Sequence, residues 1–292
     1  MNHMDWRVKN ILMIKQINCI VLTILCIVLT ILLCTLIGCA NKTHEMNNSE
    51  HENGWEVEKR VTKKVDNLSF SFPSEGYAYD NRDSLVEACF DALEENYERI
   101  ELPEYTQPIK FIFLDSREEM EKEVGYTATG WTNMWTQELH IVANGEFTPP
   151  IKHEILHMIS MTTWGYPHND LIWMNEGLAT TTEKYCNGYT VGEIYRYFLE
   201  KEMLLPIDSL TNNFFGSPSI ISYHQSAHIV EYLISNYGLD KFEELWKAGF
   251  NSFEDIYMIS FSEMEEEINK ETITKHPTVV SIDWETFSEG CF

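Results

Sequence analysis

The pattern of hydrophobic and polar positions divides the chain into an apolar start, a polar stretch and a long mixed body. Residues 19–38 are an uncharged apolar run, CIVLTILCIVLTILLCTLIG, which follows a basic start. The stretch from there to residue 54 is polar and nearly free of apolar side chains. The pattern therefore predicts a targeting segment over 1–38, a flexible tether over 39–54 and a folded body after it.

The first part of the body, residues 55–148, shows strand signals around a helix signal. Alternating or continuous apolar residues predict strands at Leu68–Phe72, Ile109–Leu114 and Glu138–Ala143. Apolar positions at steps of three and four, from Val86 to Ile100, predict the helix. Asp83 or Ser84 is the expected N-cap of that helix.

The second part, residues 149–292, changes to helical periodicity. Pro149 and Pro150 stand where a helix would begin, because proline is tolerated in a first turn. Further helices are predicted at about 170–186, 191–204, 222–237 and 239–248. We therefore predict an α+β fold, in which a small mixed sheet precedes a mainly helical lobe.

The composition limits the possible partners. The chain has 292 residues, 44% of them hydrophobic, so a sizeable core can form. It has 21 Lys and Arg against 46 Asp and Glu, and a formal net charge of −25. Because such a surface repels phosphate groups, no nucleic acid partner is expected.

One candidate for chemistry is an H-E-x-x-H motif, formed by His153, Glu154 and His157 within an apolar helical pattern. Residues four apart share one helical face. Both imidazoles can therefore reach one metal ion, with Glu154 beside the water that the ion would hold.

Glu176 extends this motif. It lies in Trp173-Met-Asn-Glu-Gly-Leu-Ala179, after eighteen residues that separate it from His157. Asp170 is the expected N-cap of the helix that carries it. Two histidines and a glutamate give three protein ligands and leave an open position, as a catalytic zinc site requires.

H-E-x-x-H, eighteen residues and then W-x-N-E-G-x-A resemble the gluzincin metallopeptidases, in the aminopeptidase-like branch, and more broadly peptidase MA-like domains of bacterial lipoproteins. The resemblance covers roughly residues 108–250. It implies that His153, His157 and Glu176 bind one Zn²⁺ and that Glu154 is the catalytic base. It also implies a thermolysin-like architecture, with Glu138–Ala143 as the edge strand that pairs with an extended peptide substrate.

The sequence departs from the aminopeptidase branch of that group. The G-A-M-E-N segment is absent, and Gly130–Met134 is only a faint echo of it. Recognition of a free substrate N-terminus is therefore not implied, and endopeptidase and exopeptidase action both stay open. Related enzymes take an oxyanion donor from a later helix, and here Tyr223 is the first candidate and His224 the second.

The end of the apolar run indicates a membrane anchor. Leu36-Ile-Gly-Cys39 resembles a bacterial lipobox, in which the cysteine is lipidated after cleavage. The alternative is an uncleaved transmembrane anchor, since twenty apolar residues can span a bilayer. Both interpretations place the body on the extracellular face of a bacterial cell membrane. The true start, at Met1, Met4 or Met13, stays open.

Three cysteines lie in the body: Cys89, Cys186 and Cys291. Their wide spacing is neither a disulfide framework nor a zinc-finger pattern. One pair could form outside the cell, and which one stays open.

These observations predict a lipid-anchored zinc metallopeptidase that acts as a monomer on a peptide or protein substrate, whose identity stays open. The alternative is a catalytically silent binding module on the same scaffold. The sequence favours the enzyme, because no base or ligand of the motif is missing.

Overall fold

The computed structural model describes residues 60–291, all within one structural unit, residues 57–292. The predicted signal segment 1–38, the tether 39–54 and Cys39 lie outside the described residues. The predicted boundary between residues 148 and 149 stays a prediction.

A five-stranded mixed sheet forms the first half of the described chain. Its strands are β1 (Val61–Val65), β2 (Leu68–Phe72), β3 (Ile109–Leu114), β4 (Gly130–Asn133) and β5 (Glu138–Val142). The order is β1-β2-β3-β5-β4. β2, β3 and β5 run parallel, whereas β1 and β4 are antiparallel to their neighbours. The three predicted strands are present, and β1 and β4 were missed because both have few apolar residues.

The position of β5 corrects one prediction. Glu138–Val142 is not the edge strand, since it pairs with β3 on one side and β4 on the other. The edge next to it is β4, Gly130–Asn133, which pairs with no second strand in residues 60–291. β5 is apolar because both of its faces and both of its sides are covered, which is typical of an interior strand.

Helices α1 to α4 lie between these strands or follow them in the chain. They are α1 (Tyr77–Asp80), α2 (Arg82–Arg99), α3 (Arg117–Val124) and α4 (Ile151–Trp164). Phe111 and Phe113 of β3 point towards the main core, where Phe111 stacks on Phe70 and Phe113 on Phe72. Alternate residues of β3 pack with Met120 of α3 on the other face. α2 begins after Asn81, so neither predicted N-cap is right.

The remaining helices form the mainly helical half. They are α5 (Ile172–Thr180), α6 (Val191–Glu200), α7 (Ile207–Asn213), α8 (Ser219–Tyr237), α9 (Leu239–Ala248), α10 (Phe253–Tyr257), α11 (Phe261–Lys275) and α12 (Trp284–Phe287), with 3₁₀ turns at Asn169–Leu171, Phe214–Gly216 and Phe250–Ser252. The α+β prediction is confirmed. No helix in residues 60–291 is long and apolar enough to cross a membrane.

Asp170 does not cap the helix it was predicted to begin. It lies in the 3₁₀ turn, and α5 starts after Leu171 without a side-chain cap. The Asp170 carboxylate instead accepts hydrogen bonds from the Phe250 backbone N–H and the His168 ring. It therefore ties the start of α5 to the turn after α9.

A disulfide between Cys186 and Cys291 joins the segment after α5 to the C-terminal end of the described chain, across 105 positions. Cys89 is buried in α2 and forms no disulfide with another cysteine of residues 60–291. The pairing that the sequence left open is thus Cys186 with Cys291. Closing a loop of this length stabilises the fold by roughly 4–5 kcal/mol in the chain-entropy description.

Candidate metal centre

α4 supplies the first two donor atoms of the site. His153 and His157 are one helical turn apart, and their ring centroids lie 4.7 Å from each other. Both are almost completely buried. The buried polar residues of this apolar helix lie on one face, and that face packs against α5.

α5 supplies the third donor atom. Glu176 Oε2 lies 3.4 Å from His153 Nε2 and 3.4 Å from His157 Nε2. The three donor atoms lie within 4.8 Å of one another. Two imidazole nitrogens and one carboxylate oxygen are the donor set of catalytic zinc sites, so these residues fit a zinc ion.

An amide behind His157 sets its ring orientation. Asn175 Oδ1 lies 2.9 Å from His157 Nδ1, and both residues are buried. An amide oxygen can only accept, so Nδ1 carries a proton, and Nε2, which faces Glu176, is the nitrogen left for a metal ion. Partners of this kind orient ligating histidines and raise their basicity.

A carboxylate has the same position behind His153. Glu183 Oε1 lies 3.6 Å from His153 Nδ1, an ion-pair distance that is longer than a hydrogen bond. Glu183 follows the end of α5, in the segment closed by the disulfide at Cys186. The sequence analysis assigned no role to Asn175 or Glu183. Asn175 adjoins Glu176 in the motif, which is a usable signal, whereas no local pattern points to Glu183.

The carboxylates make this pocket receptive to a cation. Burial alone lowers the pKa of His153, but the carboxylates of Glu176 and Glu183 outweigh it and raise this pKa to about 10. Burial would raise the pKa of Glu176, yet the His157 and His153 imidazoles hold it well below its usual range. A positive charge is therefore favoured between the two histidines and Glu176.

Glu154 lies beside the three donors and is held from β4. It is 6% exposed, and burial raises its pKa. Thr132 Oγ1 donates a 2.6 Å hydrogen bond to Glu154 Oε2 and also lies 3.0 Å from the Glu154 carbonyl oxygen. β4 thus fixes the orientation of this carboxylate.

Gly130 provides the space that Glu154 needs. A Cβ atom at Gly130 would lie 2.7 Å from both Cδ and Cγ of Glu154, and closer still to Oε1. This separation is well inside van der Waals contact. The segment Gly130–Met134, which weakly resembles G-A-M-E-N, therefore contains the strand against which the H-E-x-x-H helix packs.

Tyr223 reaches the site from α8. Its ring stacks on His153, with centroids 6.4 Å apart. Burial, followed by the nearby charges of Glu176 and Glu154, raises the pKa of Tyr223 far above its ordinary value. The phenol therefore stays protonated and can donate a hydrogen bond.

His224 and His228 point away from these groups. His224 Nδ1 is 2.7 Å from the Ile220 carbonyl oxygen, and its Nε2 is 3.8 Å from Cys291 Sγ. His228 Nε2 bonds Thr272 Oγ1 at 2.6 Å. Of the two oxyanion candidates, the structure brings only Tyr223 to the donor atoms.

A second glycine keeps α5 and α8 close. A Cβ atom at Gly177 would lie 2.7 Å from the backbone carbonyl carbon of Ser226. Only glycine allows this approach, which sets the distance between the helix that carries Glu176 and the helix that carries Tyr223.

Three exposed aromatic side chains, Trp135, Tyr166 and Tyr126, lie in segments next to β4 and α4. Trp135, just after β4, is 77% exposed and stacks on Tyr166 at 5.9 Å. Burial and then the charge of Glu176 raise the pKa of Tyr166, so this phenol lies within electrostatic reach of the site. Tyr126 likewise has a pKa raised by burial and then by Glu154 and Glu176. Together they offer an apolar surface beside the charged centre.

A comparison with protein families points to the same segment. Residues 121–256, just under half of the chain, match the family model described as Peptidase MA superfamily. The matched range contains β4, α4, α5 and α8, and with them every donor atom of the site. No curated protein matches the chain. The match supports placing residues 121–256 in the peptidase MA superfamily.

Proposed function

We propose that this chain is a gluzincin-type zinc metallopeptidase that hydrolyses peptide bonds. The observation that carries the proposal is the convergence of His153 Nε2, His157 Nε2 and Glu176 Oε2 next to the buried carboxylate of Glu154. The superfamily match over the same residues supports it.

His153, His157 and Glu176 would hold one Zn²⁺, and Asn175 and Glu183 would keep the two imidazoles in place. When bound, zinc supplies the Lewis acidity that makes a water molecule nucleophilic near neutral pH. Three protein donors leave the open position that this chemistry needs.

Glu154 would act as the base. Its carboxylate accepts the proton of the attacking water and then gives it to the leaving amine. The hydrogen bond from Thr132 to Oε2 fixes the carboxylate, so the Glu154 side chain does not have to change rotamer before proton transfer. A raised pKa also helps, because it brings the carboxyl nearer to the working pH.

Tyr223 would donate a hydrogen bond to the oxygen that becomes negative during attack on the carbonyl. A buried and protonated phenol is suited to this role, since it needs no reorganisation at the moment of reaction. Loss of one such donor typically lowers kcat by about 100- to 1,000-fold.

The peptide would bind along β4 instead of β5. No strand of residues 60–291 pairs with the outer side of β4, so an extended peptide can add backbone hydrogen bonds there. The aromatic pair Trp135 and Tyr166, which follow β4 and α4, favours a substrate with apolar side chains near the scissile bond.

We further propose that a lipid on Cys39 holds the body on the extracellular face of the bacterial membrane, as the lipobox resemblance implies. Mass spectrometry of the intact protein tests this part separately. A diacylglycerol-sized mass increase that is lost in Cys39→Ser supports it, and an uncleaved N-terminus contradicts it.

The peptidase is tested with the full chain in detergent, loaded with zinc and offered a mixed peptide library. We expect cleavage, and a loss on the order of 100- to 10,000-fold in Glu154→Gln with zinc content unchanged. Glu266→Gln, at an exposed site in α11, is the matched control and should retain full activity. A zinc-loaded wild-type protein that cleaves no peptide would favour the silent binding module.

A further inference from the structure

We propose that Cys186, His224 and Cys291 form a second metal site, which binds Zn²⁺ through two thiolates and an imidazole once the disulfide is reduced. None of these three side chains is a donor of the proposed peptidase centre.

The three side chains already converge. Cys186 and Cys291 are joined by the disulfide, and His224 Nε2 lies 3.8 Å from Cys291 Sγ. One donor atom from each of the three lies within 4.8 Å of the other two. The donors come from the segment after α5, from α8 and from the C-terminal end, so no sequence motif could show them.

The hydrogen bonding of His224 gives it the tautomer of a metal ligand. Its Nδ1 lies 2.7 Å from the Ile220 carbonyl oxygen, which can only accept, so Nδ1 carries the proton. In the neutral ring, Nε2 is then the nitrogen that has the lone pair. The lone pair on Nε2 therefore points at the sulfur atoms, and a carbonyl behind the other ring nitrogen is the usual arrangement of a metal-bound histidine.

The disulfide leaves this lone pair without a donor. Within the described part of the chain, Cys291 Sγ is the only polar neighbour of Nε2. A disulfide sulfur has no hydrogen and therefore cannot donate to this nitrogen. His224 is 3% exposed, so bulk water does not readily replace the missing donor. A buried acceptor without a partner is costly, and a metal ion in the place of the disulfide bond would satisfy it.

The surroundings are those of a closed site. Cys186 is 3% exposed, and both it and His224 pack against the apolar cluster that includes Phe198, Ile221 and Phe287. Low polarity strengthens the attraction between a cation and two thiolates. Sulfur and imidazole donors of this kind select zinc over magnesium or calcium.

The change between the two states is balanced. A dithiol reductant gives two electrons and two protons to the disulfide, which becomes two thiols while the dithiol becomes a disulfide. Zn²⁺ then replaces the two thiol protons, which are released to solvent. The oxidised protein binds no ion here, because both sulfurs are in the bond.

The test compares the full chain in detergent before and after anaerobic treatment with a dithiol, which is then removed. Zinc stoichiometry should rise by one equivalent per chain on reduction. With Co²⁺ as the probe, the reduced protein should gain a thiolate-to-cobalt charge-transfer band in the near ultraviolet. Cys186→Ser and Cys291→Ser should each lose the band and the extra equivalent, and His224→Gln should bind this ion at least tenfold more weakly.

Three controls keep the outcome decisive. Cys89→Ala should leave the band unchanged, which would show that the third thiol of the body is not a ligand of the ion. The Cys186→Ser variant retains all N-terminal cysteines, so a band that persists in it would come from those and overturn the proposal. His224→Gln is shown to fold by its Cys186–Cys291 disulfide under oxidising conditions; if it does not fold, the two serine variants decide.

Equal zinc stoichiometry in the reduced and oxidised proteins would also overturn the proposal. If the proposed peptidase site does not bind zinc, the oxidised and reduced proteins would each bind one zinc ion fewer than expected. The two failures are therefore distinguishable.

Discussion

Replacement of Gly130 by alanine separates the positioning of the base from metal binding. The new Cβ atom would lie 2.7 Å from Glu154 Cδ and Cγ, whereas carbon atoms in contact are about 3.5–4.0 Å apart. Glu154 or β4 must therefore move by about 1 Å. The hydrogen bond between Thr132 and Glu154 cannot keep its 2.6 Å length through such a shift unless both partners move together.

A displacement of this size at a reacting group typically costs on the order of 100-fold in rate, which corresponds to about 2.7 kcal/mol in activation free energy. We expect Gly130→Ala to lower kcat by that factor and to leave zinc affinity unchanged, because the three atoms nearest to the added Cβ all belong to Glu154. The assay is peptide hydrolysis at saturating substrate, with zinc affinity measured by competition against a chelator.

Gly192→Ala is the matched control for this glycine. Gly192 also has an ordinary φ, and the Cβ atom there would meet the end of the His276 side chain, which can rotate away. This variant should retain activity. Wild-type kcat in Gly130→Ala would refute the proposed contact between β4 and the base, and loss of zinc would show that the change acts on the fold instead.

The remaining predictions concern four separate features. Asn175→Ala should weaken zinc binding about 10- to 100-fold in a chelator competition, because it removes the partner that orients a ligating imidazole; unchanged affinity would contradict that role. Gly177→Ala should cost about 1–3 kcal/mol in the free energy of unfolding, since the Ser226 backbone must move, and an unaltered thermal transition would disprove the close approach. In the metal-free protein, the His153 pKa is raised from 6.5 to about 10, so its stabilisation is complete below pH 6.5 and is lost as the pH rises towards about 10. The unfolding temperature of chelator-treated protein should fall across that window, and less so in His153→Gln. Trp135→Ala should raise KM for peptides with apolar side chains without changing stability, because the ring is 77% exposed; an unchanged KM would remove it from the binding surface.

Local patterns predicted the parts of this fold that depend on neighbours in sequence. β2, β3 and β5 followed from runs of apolar residues, α4 from the prolines at its start and α9 from helical periodicity. β1 and β4 were not predicted because a strand at the edge of a sheet needs few apolar side chains. The assignment of β5 as the edge was wrong for a related reason, since strand order depends on pairings between distant segments.

The candidate site divides in the same way. His153, Glu154 and His157 could be grouped from spacing alone, because one helical turn brings the first and last of them together whatever the rest of the chain does. Glu176 needed a motif, since its approach depends on how two helices pack. Glu183, and the contact of Thr132 with Glu154, had no local signal at all.

By itself, therefore, the sequence determined the helical metal-binding motif, the acidic surface, the α+β composition and the apolar N-terminal segment, all of which are properties of consecutive residues. Tertiary structure alone decided which strand lies at the edge beside Glu154, which cysteines pair and which oxygen atoms stand behind each imidazole. The physical reason is that these contacts join residues far apart in the chain. Their free energy comes from packing that no local pattern encodes.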